Sequence, residues 1–499
     1  SITVSVDMKA NVSDRETIKA VVDDLSTVCR VNVIEDCAAI SLVGQRIRTI
    51  LHELSPVLQV FQEHKVHLVT QAANDLNLTF VVDSEQAYRL VQKLHSLLVR
   101  RFGEGELFGP TWEQLTAPDP TKANDQDIWW IKKQTKLLKL ATENGSAYVY
   151  DLEKIIESAT SLMSLNSVDN IFYAMKANSN SEILRALEGE GINFECVSPG
   201  EIHRLLELFP DIDRKRLLFT PNFAPRFEYQ WGLDQGTWVT LDNLHPLRYW
   251  PKIFKNREVF IRIDTGEGQG HHEHVRTAGT YSKFGIPLQE IEEMEDLLKG
   301  AGARVVGLHA HTGSGILQTD NWRVTGERLL ALRDNFPELR FLDLGGGLGI
   351  AEKRGERGLD LADLDRELQK IEVGDIKFWL EPGRFIVGEA GVLLAQVTQV
   401  KGKGDMRYIG INVGMNTLIR PTLYGAYHEI VNLSNLGGAP TELVTIVGPI
   451  CETGDRLGSD RLLPTTQEGD VILIANAGAY GYAMSSNYNL REPAVEIAI

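Results

Sequence analysis

The sequence predicts an α/β protein organised around a (β/α)8 barrel, with a smaller α+β module in front of it. Three observations predict this fold. Short apolar strands alternate with helical segments eight times within residues 152–391. Each of these strands is followed by a polar residue or a glycine. Residues 38–99 instead show the order strand, helix, strand, strand, helix. A doubly wound open sheet is the alternative for residues 152–391.

Composition narrows the class of protein. A chain of 499 residues is expected to form two or three domains. A net charge of -17 argues against binding to nucleic acid or to an anionic membrane. No apolar run is long enough to span a bilayer, and the N-terminus lacks a signal pattern. Four widely spaced cysteines without a CxxC pair suit a reducing cytosol, so we expect a cytoplasmic protein.

The N-terminal module, residues 1–100, is predicted from hydrophobic periodicity. The predicted strands are 2–7, 30–35, 38–43, 66–70 and 76–82, and the predicted helices are 14–28, 44–62 and 84–99. The second half has the arrangement of a ferredoxin-like fold. Residues 101–127 are rich in glycine, proline and acidic residues and are predicted to be a linker.

The barrel strands are predicted from short apolar runs. They are 171–174, 193–197, 217–220, 238–241, 259–263, 305–309, 341–344 and 377–380. The residues that follow them are Lys176, Ser198, Asn222, Asp242, Asp264, His311, the run Gly345-Gly346-Gly347, and Glu381 with Arg384. Because barrel chemistry lies at the carboxyl ends of the strands, these residues are predicted to form one polar mouth.

Lys176 stands at the end of the apolar segment Ile171–Ala174. A lysine is rarely buried without a function, and burial or a nearby positive charge would lower its pKa. The neutral amine could then form a Schiff base with a carbonyl. For Lys176 alone, a solvated lysine at a strand end is an equally good interpretation.

Two glycine-containing turns predict a phosphate site. Gly345-Gly346-Gly347 follows strand seven, and Gly383 and Arg384 follow strand eight, where barrels often bind phosphate. Plain glycine turns are the alternative. A lysine amine, a phosphate cradle and the acid Glu381 together fit pyridoxal phosphate.

In that interpretation Glu381 pairs with the ring nitrogen, His311 stacks on the ring and Ser314 reaches the phosphate. Core histidines, or a zinc pair of His309 and His311, are the alternative. No further ligand pattern completes a zinc set, so no metal is expected.

Motifs throughout residues 128–499 resemble the fold-type III pyridoxal-phosphate decarboxylases, and most closely the diaminopimelate decarboxylase family. They are YAMKAN (173–178), GQGHHEHV (268–275), SKFG (282–285), GLHAHTGSG (307–315), DLGGGLGI (343–350), LEPGR (380–384), GMNTLIRPTLYGAYH (414–428), CETGD (451–455) and AGAYGYAMSSNYN (477–489). The resemblance implies a PLP-binding barrel over 152–391 and a mostly-β domain from 128–151 and 392–499. Segments 392–400, 406–411, 428–433, 443–448 and 470–476 suit its strands.

The resemblance also implies residue roles. Lys176 would hold the cofactor, and Cys451 would donate a proton in the neighbouring subunit's site, which implies a homodimer. The implied substrate contacts are Arg384, Arg420, Tyr424, Glu452 and Tyr480, of which Tyr480 and Arg384 would also reach the cofactor. The implied reaction converts meso-2,6-diaminopimelate into L-lysine and carbon dioxide. An ornithine- or arginine-type decarboxylase and a non-catalytic amino-acid sensor are the alternatives.

Residues 1–100 resemble the ACT domains of aspartate kinases, which bind small amino acids. A ligand-free dimerisation module is the alternative. The combination resembles the C-terminal part of a fused aspartate kinase–diaminopimelate decarboxylase, so a lysine-sensing role of residues 1–100 is a natural hypothesis. The chain begins at Ser1, and the sequence does not distinguish a processed product from a fragment.

Overall fold

The computed structural model of the chain describes residues 128–266, 282–404 and 406–499. In the N-terminal part it describes residues 22–29, 31, 33–34, 37–43, 66–71, 77–84, 87, 90–91 and 94. The chain divides into two compact units, residues 1–117 and 118–499. None of the helices in these ranges has the length and apolarity that crossing a bilayer requires.

The first unit contains an antiparallel sheet of three strands. They are β1 (Cys37–Val43), β2 (Val66–Gln71) and β3 (Asn77–Asp83), in the order β1-β3-β2. This agrees with the predicted strands. Residues 22–26 are helical, within the predicted helix 14–28. The predicted strand 30–35 is wrong at positions 31, 33 and 34, which are neither helix nor strand. The predictions for 2–7 and 44–62 lie outside the described residues.

The second unit contains seventeen described strands. They are β4 (Ala147–Tyr150), β5 (Asn170–Ala174), β6 (Asn193–Cys196), β7 (Leu217–Phe219), β8 (Trp238–Leu241), β9 (Glu258–Asp264), β10 (Ile286–Pro287), β11 (Arg304–His309), β12 (Phe341–Asp343), β13 (Lys377–Leu380), β14 (Gly391–Lys403), β15 (Met406–Ile411), β16 (Ile430–Asn432), β17 (Glu442–Val447), β18 (Arg456–Leu463), β19 (Val471–Ile474) and β20 (Val495–Ala498).

The α-helices described in this unit surround or flank these strands. They are α1 (Trp129–Lys132), α2 (Gln134–Asn144), α3 (Leu152–Met163), α4 (Ser181–Gly189), α5 (Pro199–Leu208), α6 (Arg226–Gln235), α7 (His245–Tyr249), α8 (Ile291–Ala301), α9 (Asp320–Leu330), α10 (Leu361–Leu368), α11 (Arg384–Val387) and α12 (Arg420–Tyr424). Short 3-10 turns include Met175–Ala177, which carries Lys176.

Eight parallel strands close into a barrel. Around the ring the order is β5-β6-β7-β8-β9-β11-β12-β13, and β13 pairs back onto β5. The barrel and its eight strands are therefore confirmed, and the open sheet is wrong. Alternating strands and helices are common to the barrel and the open sheet, and the pairing of β13 with β5 is what closes this sheet.

Aromatic side chains fill the interior of the barrel. Phe172, Trp238, Phe260 and Trp379 belong to one buried cluster, and Phe341 packs against it. The ring centroids of Phe172 and Trp379 lie 4.5 Å apart, across the junction that closes the barrel. An eight-stranded barrel is just wide enough for such side chains to fill, so this layer forms a solid floor.

The mostly-β part combines the early strand β4 with the C-terminal strands. The sheet order is β16-β19-β14-β15-β17-β18, and β4 pairs with both β14 and β20. The use of one early strand in this sheet is as expected from the family resemblance. Strands β18 and β20 are not among the predicted strands. The centre of β18 is polar and shows little hydrophobic alternation, and β20 is only four residues long.

Candidate active site

Charged residues form a layer directly above the aromatic floor. Three strands place an ionisable residue two positions after an aromatic one, namely Arg262 after Phe260, Asp343 after Phe341, and Glu381 after Trp379. Successive strand side chains alternate, so residues i and i+2 share a face. The barrel mouth is therefore charged where the floor beneath it is apolar.

Lys176 lies at this mouth and pairs with Glu195. Its amine donates to Oε2 of Glu195, whose other oxygen accepts from the Thr220 hydroxyl. The Lys176 side chain is 39% exposed, whereas that of Glu195 is 1% exposed. Burial lowers the pKa of Lys176, but the carboxylates of Glu195 and Glu381 outweigh burial, so the pKa is raised. The predicted lowering of this pKa is wrong for the described structure, because an acid and not a cation faces the amine.

Glu381 and Asp343 form a buried pair of acids. Oε2 of Glu381 lies 3.3 Å from Nε2 of His309. Burial raises the pKa of Glu381, but His309 and Lys176 lower it below its ordinary value. Burial and the charge of Glu381 raise the pKa of Asp343 well above its ordinary value. Two neighbouring acids in low dielectric do not both ionise readily, so Asp343 holds the proton and Glu381 the charge.

His311 is neutral, and a hydrogen bond fixes the orientation of its ring. Its Nδ1 accepts a hydrogen bond of 3.1 Å from the N–H of Gly346, so the proton of the neutral ring is on Nε2. Burial and the positive charge of Arg262 lower the pKa of His311 to about 3. A Cβ at Gly346 would lie 2.2 Å from the carbonyl oxygen of Glu381. Only glycine permits this approach of the two loops.

Arg384 contacts both the loop that contains Ser314 and the C-terminal segment that contains Tyr480. Its Nη2 donates to Oγ of Ser314 over 3.2 Å, and its guanidinium lies 5.3 Å from the ring centroid of Tyr480. The N–H of Tyr480 donates to the carbonyl of Ala177 over 2.8 Å. Tyr480 is thereby held beside the loop of Lys176. Gly383 immediately precedes α11, and a Cβ there would lie 3.0 Å from that of Ala177.

Arg420 begins α12 and is 4% exposed. Arg384 and Tyr424 both lie close enough to influence its ionisation. Burial and the charge of Arg384 lower the pKa of Arg420 to about 10. Within the described residues no carboxylate oxygen forms an ion pair with either guanidinium. The two arginines therefore form a positive region beside the mouth.

Cys451 and Glu452 lie on an exposed loop. The N–H of Cys451 donates to Oδ1 of Asn489 over 3.0 Å, and Glu452 accepts from the hydroxyl of Tyr488 over 2.6 Å. The buried carboxylate of Asp455 anchors the loop by accepting the N–H groups of Met415 and Ile450. No hydrogen bond or ion pair in the described part of the chain joins Cys451 to Lys176.

The residues at the mouth fit pyridoxal phosphate, because one buried carboxylate oxygen lacks a hydrogen-bond donor in the described part of the chain. Oε1 of Glu381 is buried and has no hydrogen-bond partner within the described residues. A buried carboxylate oxygen calls for a donor, and a protonated ring nitrogen is one. Lys176, His311, Ser314 and Arg384 supply the other groups that such a cofactor needs.

Sequence reasoning missed Glu195, Arg262 and Asp343. Each is a charged residue that directly follows an apolar residue within a short buried strand, and that signal could have found them. His309, Asp343 and Glu381 lie close enough to hold a metal ion, a grouping that the sequence did not suggest. The predicted motif at 268–275 lies outside the described residues.

A protein-family model for the pyridoxal binding domain of pyridoxal-dependent decarboxylases matches residues 152–388. Two curated relatives are similar over most of their length. The diaminopimelate decarboxylase of Methanothermobacter thermautotrophicus is 36% identical, covering 72% of this chain and 88% of the relative. The Escherichia coli K12 diaminopimelate decarboxylase is 32% identical, covering 71% and 89%.

Solved structures show the same similarity. The crystal structure of a single-substitution mutant of Helicobacter pylori diaminopimelate decarboxylase, complexed with L-lysine, matches with a TM-score of 0.66. It is 30% identical, and the match covers 71% of this chain and 91% of that one. The matched shares leave out more than a quarter of this chain.

Proposed function

The chain belongs to the diaminopimelate decarboxylases, and from this membership we propose which of its side chains carry the reaction. The enzyme converts meso-2,6-diaminopimelate into L-lysine and carbon dioxide with pyridoxal 5′-phosphate. When bound, this cofactor supplies an electron sink for the electron pair left when carbon dioxide departs. The chain's own residues must bind, orient and protonate.

The charged layer would hold the cofactor. Lys176 would bind it through the amine, which is paired with Glu195 in the described structure. The ionised Glu381 would accept a hydrogen bond from the ring nitrogen and keep it protonated, and the neutral His311 would stack on the ring. The residues that would surround the phosphate are Gly345, Gly346, Gly347, Gly383, Ser314 and Arg384. The N–H groups of Gly345 and Gly346 already donate to Asp343 and His311, so the remaining phosphate donors come from elsewhere in these turns.

Substrate choice rests on the two arginines. Diaminopimelate carries a carboxylate at its distal end, and a planar guanidinium suits a carboxylate. Arg384 and Arg420 lack an acidic partner among the described residues, and this observation carries the assignment. An ornithine-type enzyme must bind a distal ammonium, which this positive region would repel. Tyr424 and Tyr480 both lie close enough to Arg420 to influence its pKa.

Cys451 and Glu452 would act in the partner's site within a homodimer. Both are exposed, and the loop is rigidly anchored by Asp455. The Cys451 thiol would give its proton to the substrate carbon that lost carbon dioxide, and Glu452 would bind the substrate ammonium. A residue that acts in the partner's site must be exposed on its own chain and held firmly in place, and this loop meets both conditions.

The experiment measures carbon dioxide and lysine release from meso-diaminopimelate, with ornithine as competing substrate and K176A as control. We expect turnover of diaminopimelate alone, and its loss in K176A. Turnover of ornithine at a comparable rate would overturn the assignment of the arginines.

Two further parts of the proposal concern regulation by an effector and the cellular compartment. A lysine effector would bind residues 1–100, supported by the ferredoxin-like strand order of β1, β2 and β3. Equilibrium dialysis of the full chain should then find two lysine sites, one of which survives saturation of the active site.

A reducing compartment, the cytoplasm, suits the four cysteines, none of which forms a disulfide within the described residues.

A further inference from the structure

The guanidinium of Arg420 has an unusual partner for a buried cation. Its Nη1 lies 3.2 Å from Nε2 of His428. Buried cations are normally paired with an acid, because desolvation is costly. Across the described ranges, no Asp or Glu oxygen comes within ion-pair distance of Arg420, so an imidazole occupies the place that a carboxylate usually takes.

The geometry defines which nitrogen of His428 accepts. Its Nδ1 lies 2.9 Å from the carbonyl oxygen of Ala475, which can only accept, so Nδ1 carries the proton. Nε2 then offers a lone pair to Arg420, which can only donate. The Ala475 backbone is itself held, because its N–H donates to the carbonyl of Glu429 over 2.8 Å. The acceptor is therefore built into the sheet edge beside β16 and β19.

The imidazole is also neutral. His428 is fully buried. Burial lowers its pKa to about 3, and the nearby charges of Arg420, Arg384 and Arg461 act in the same direction. A neutral acceptor holds a guanidinium in place without cancelling its charge. A carboxylate would hold the guanidinium and also cancel its charge.

We propose that His428 is a positioning residue for substrate recognition, which orients Arg420 while leaving its positive charge available to the distal carboxylate of the substrate. The inference rests on the proposed role of Arg420. It explains why a histidine stands eight residues after that arginine, at the edge of the sheet beside α12. His428 would therefore influence substrate specificity through Arg420, without itself forming an ion pair with the substrate's carboxylate.

The test compares three substitutions in the holoenzyme. H428L removes the acceptor, H428E supplies a charged acceptor, and H428Q supplies a neutral one. Each is assayed for kcat and KM with diaminopimelate, and for inhibition by L-lysine and by 1,5-diaminopentane. L-Lysine retains the distal carboxylate, whereas the diamine is the same molecule without it, so the pair isolates recognition of that group.

We expect H428L and H428E each to raise KM and the lysine inhibition constant about tenfold or more, with kcat changed far less. H428Q should recover most of the loss. Inhibition by the diamine should not weaken in any variant. A merely structural role predicts instead that H428E, which satisfies the guanidinium, binds lysine as tightly as the unmodified enzyme. That result, or unchanged lysine binding in H428L, would overturn the proposal.

Two controls separate the possible failures. Thermal unfolding and the visible spectrum of bound cofactor report whether each variant is folded and loaded, and the comparison of H428Q with H428E remains decisive should H428L not fold. R420M tests the premise. If R420M leaves KM for diaminopimelate unchanged, the proposed role of Arg420 fails. If R420M raises KM but H428E does not, only the role of His428 fails.

Discussion

At the residue scale, the ion pair of Lys176 with Glu195 determines the state of the amine before cofactor arrives. Glu195 lies on β6, nineteen positions after the lysine, and is almost fully buried. A buried acid beside an amine stabilises the protonated form. The protonated amine cannot attack an aldehyde, so the acid sets the pH at which cofactor is taken up.

E195Q should lower the pKa of Lys176, because the substitution removes the nearest negative charge. At a pH below that pKa, the neutral fraction of the amine rises about tenfold for each unit by which the pKa falls. Reconstitution of cofactor-free enzyme with pyridoxal phosphate should therefore be faster at about pH 7 to 8, and its pH midpoint should fall. Stopped-flow absorbance of the bound cofactor measures this.

T220V is the matched control, because it removes a hydrogen bond to Glu195 but leaves the carboxylate. It should move the pH midpoint less than E195Q does. An E195Q midpoint equal to or above that of the unmodified enzyme would show that the carboxylate does not govern the amine.

The pair of Asp343 and Glu381 makes a second residue-scale prediction. E381Q should reduce kcat by about 100-fold or more, since it removes the buried charge that keeps the ring nitrogen protonated. D343N should lose much less, because Asp343 already carries a proton in the described structure. Steady-state turnover with matched cofactor loading measures both. Equal losses in the two variants would mean that the charge is shared, and not held by Glu381.

At the element scale, the aromatic layer supports the charged layer above it. F260A would open a large cavity within the barrel, because Phe260 is fully buried and stacks on both Phe341 and Trp379. The expected cost is about 3–5 kcal/mol in the free energy of unfolding. Urea denaturation followed by tryptophan fluorescence measures it.

The control for this prediction is an exposed phenylalanine of the same barrel. Phe227 is 68% exposed on α6, so F227A should change stability by less than about 0.5 kcal/mol. Similar costs in the two variants would contradict a stabilising role specific to the interior layer.

At the scale of the whole molecule, the exposure of Cys451 has a consequence for assembly. If each active site combines the lysine of one subunit with the cysteine of its partner, K176A and C451A should complement each other. Mixed dimers would hold one intact site of two, so an equal mixture should recover up to about a quarter of full activity. Turnover after subunit exchange measures this recovery.

Each variant assayed alone is the control and should remain nearly inactive. Absence of recovery, with exchange verified by differently tagged subunits, would place Cys451 in its own chain's site or outside the reaction.

The sequence by itself determined the eight strands and the polar residues at their ends, because strand-helix alternation and strand-end polarity are local patterns. The pairing of β13 with β5 in the tertiary structure decided between the predicted barrel and an open sheet. It also identified Lys176, Glu381 and the two arginines as candidates through their motifs. Only the tertiary structure decided their charges. Glu195 raises the pKa of Lys176, Asp343 takes the proton that Glu381 lacks, and His428 holds Arg420. Those states depend on distances between strands far apart in the chain and on burial, which periodicity does not encode.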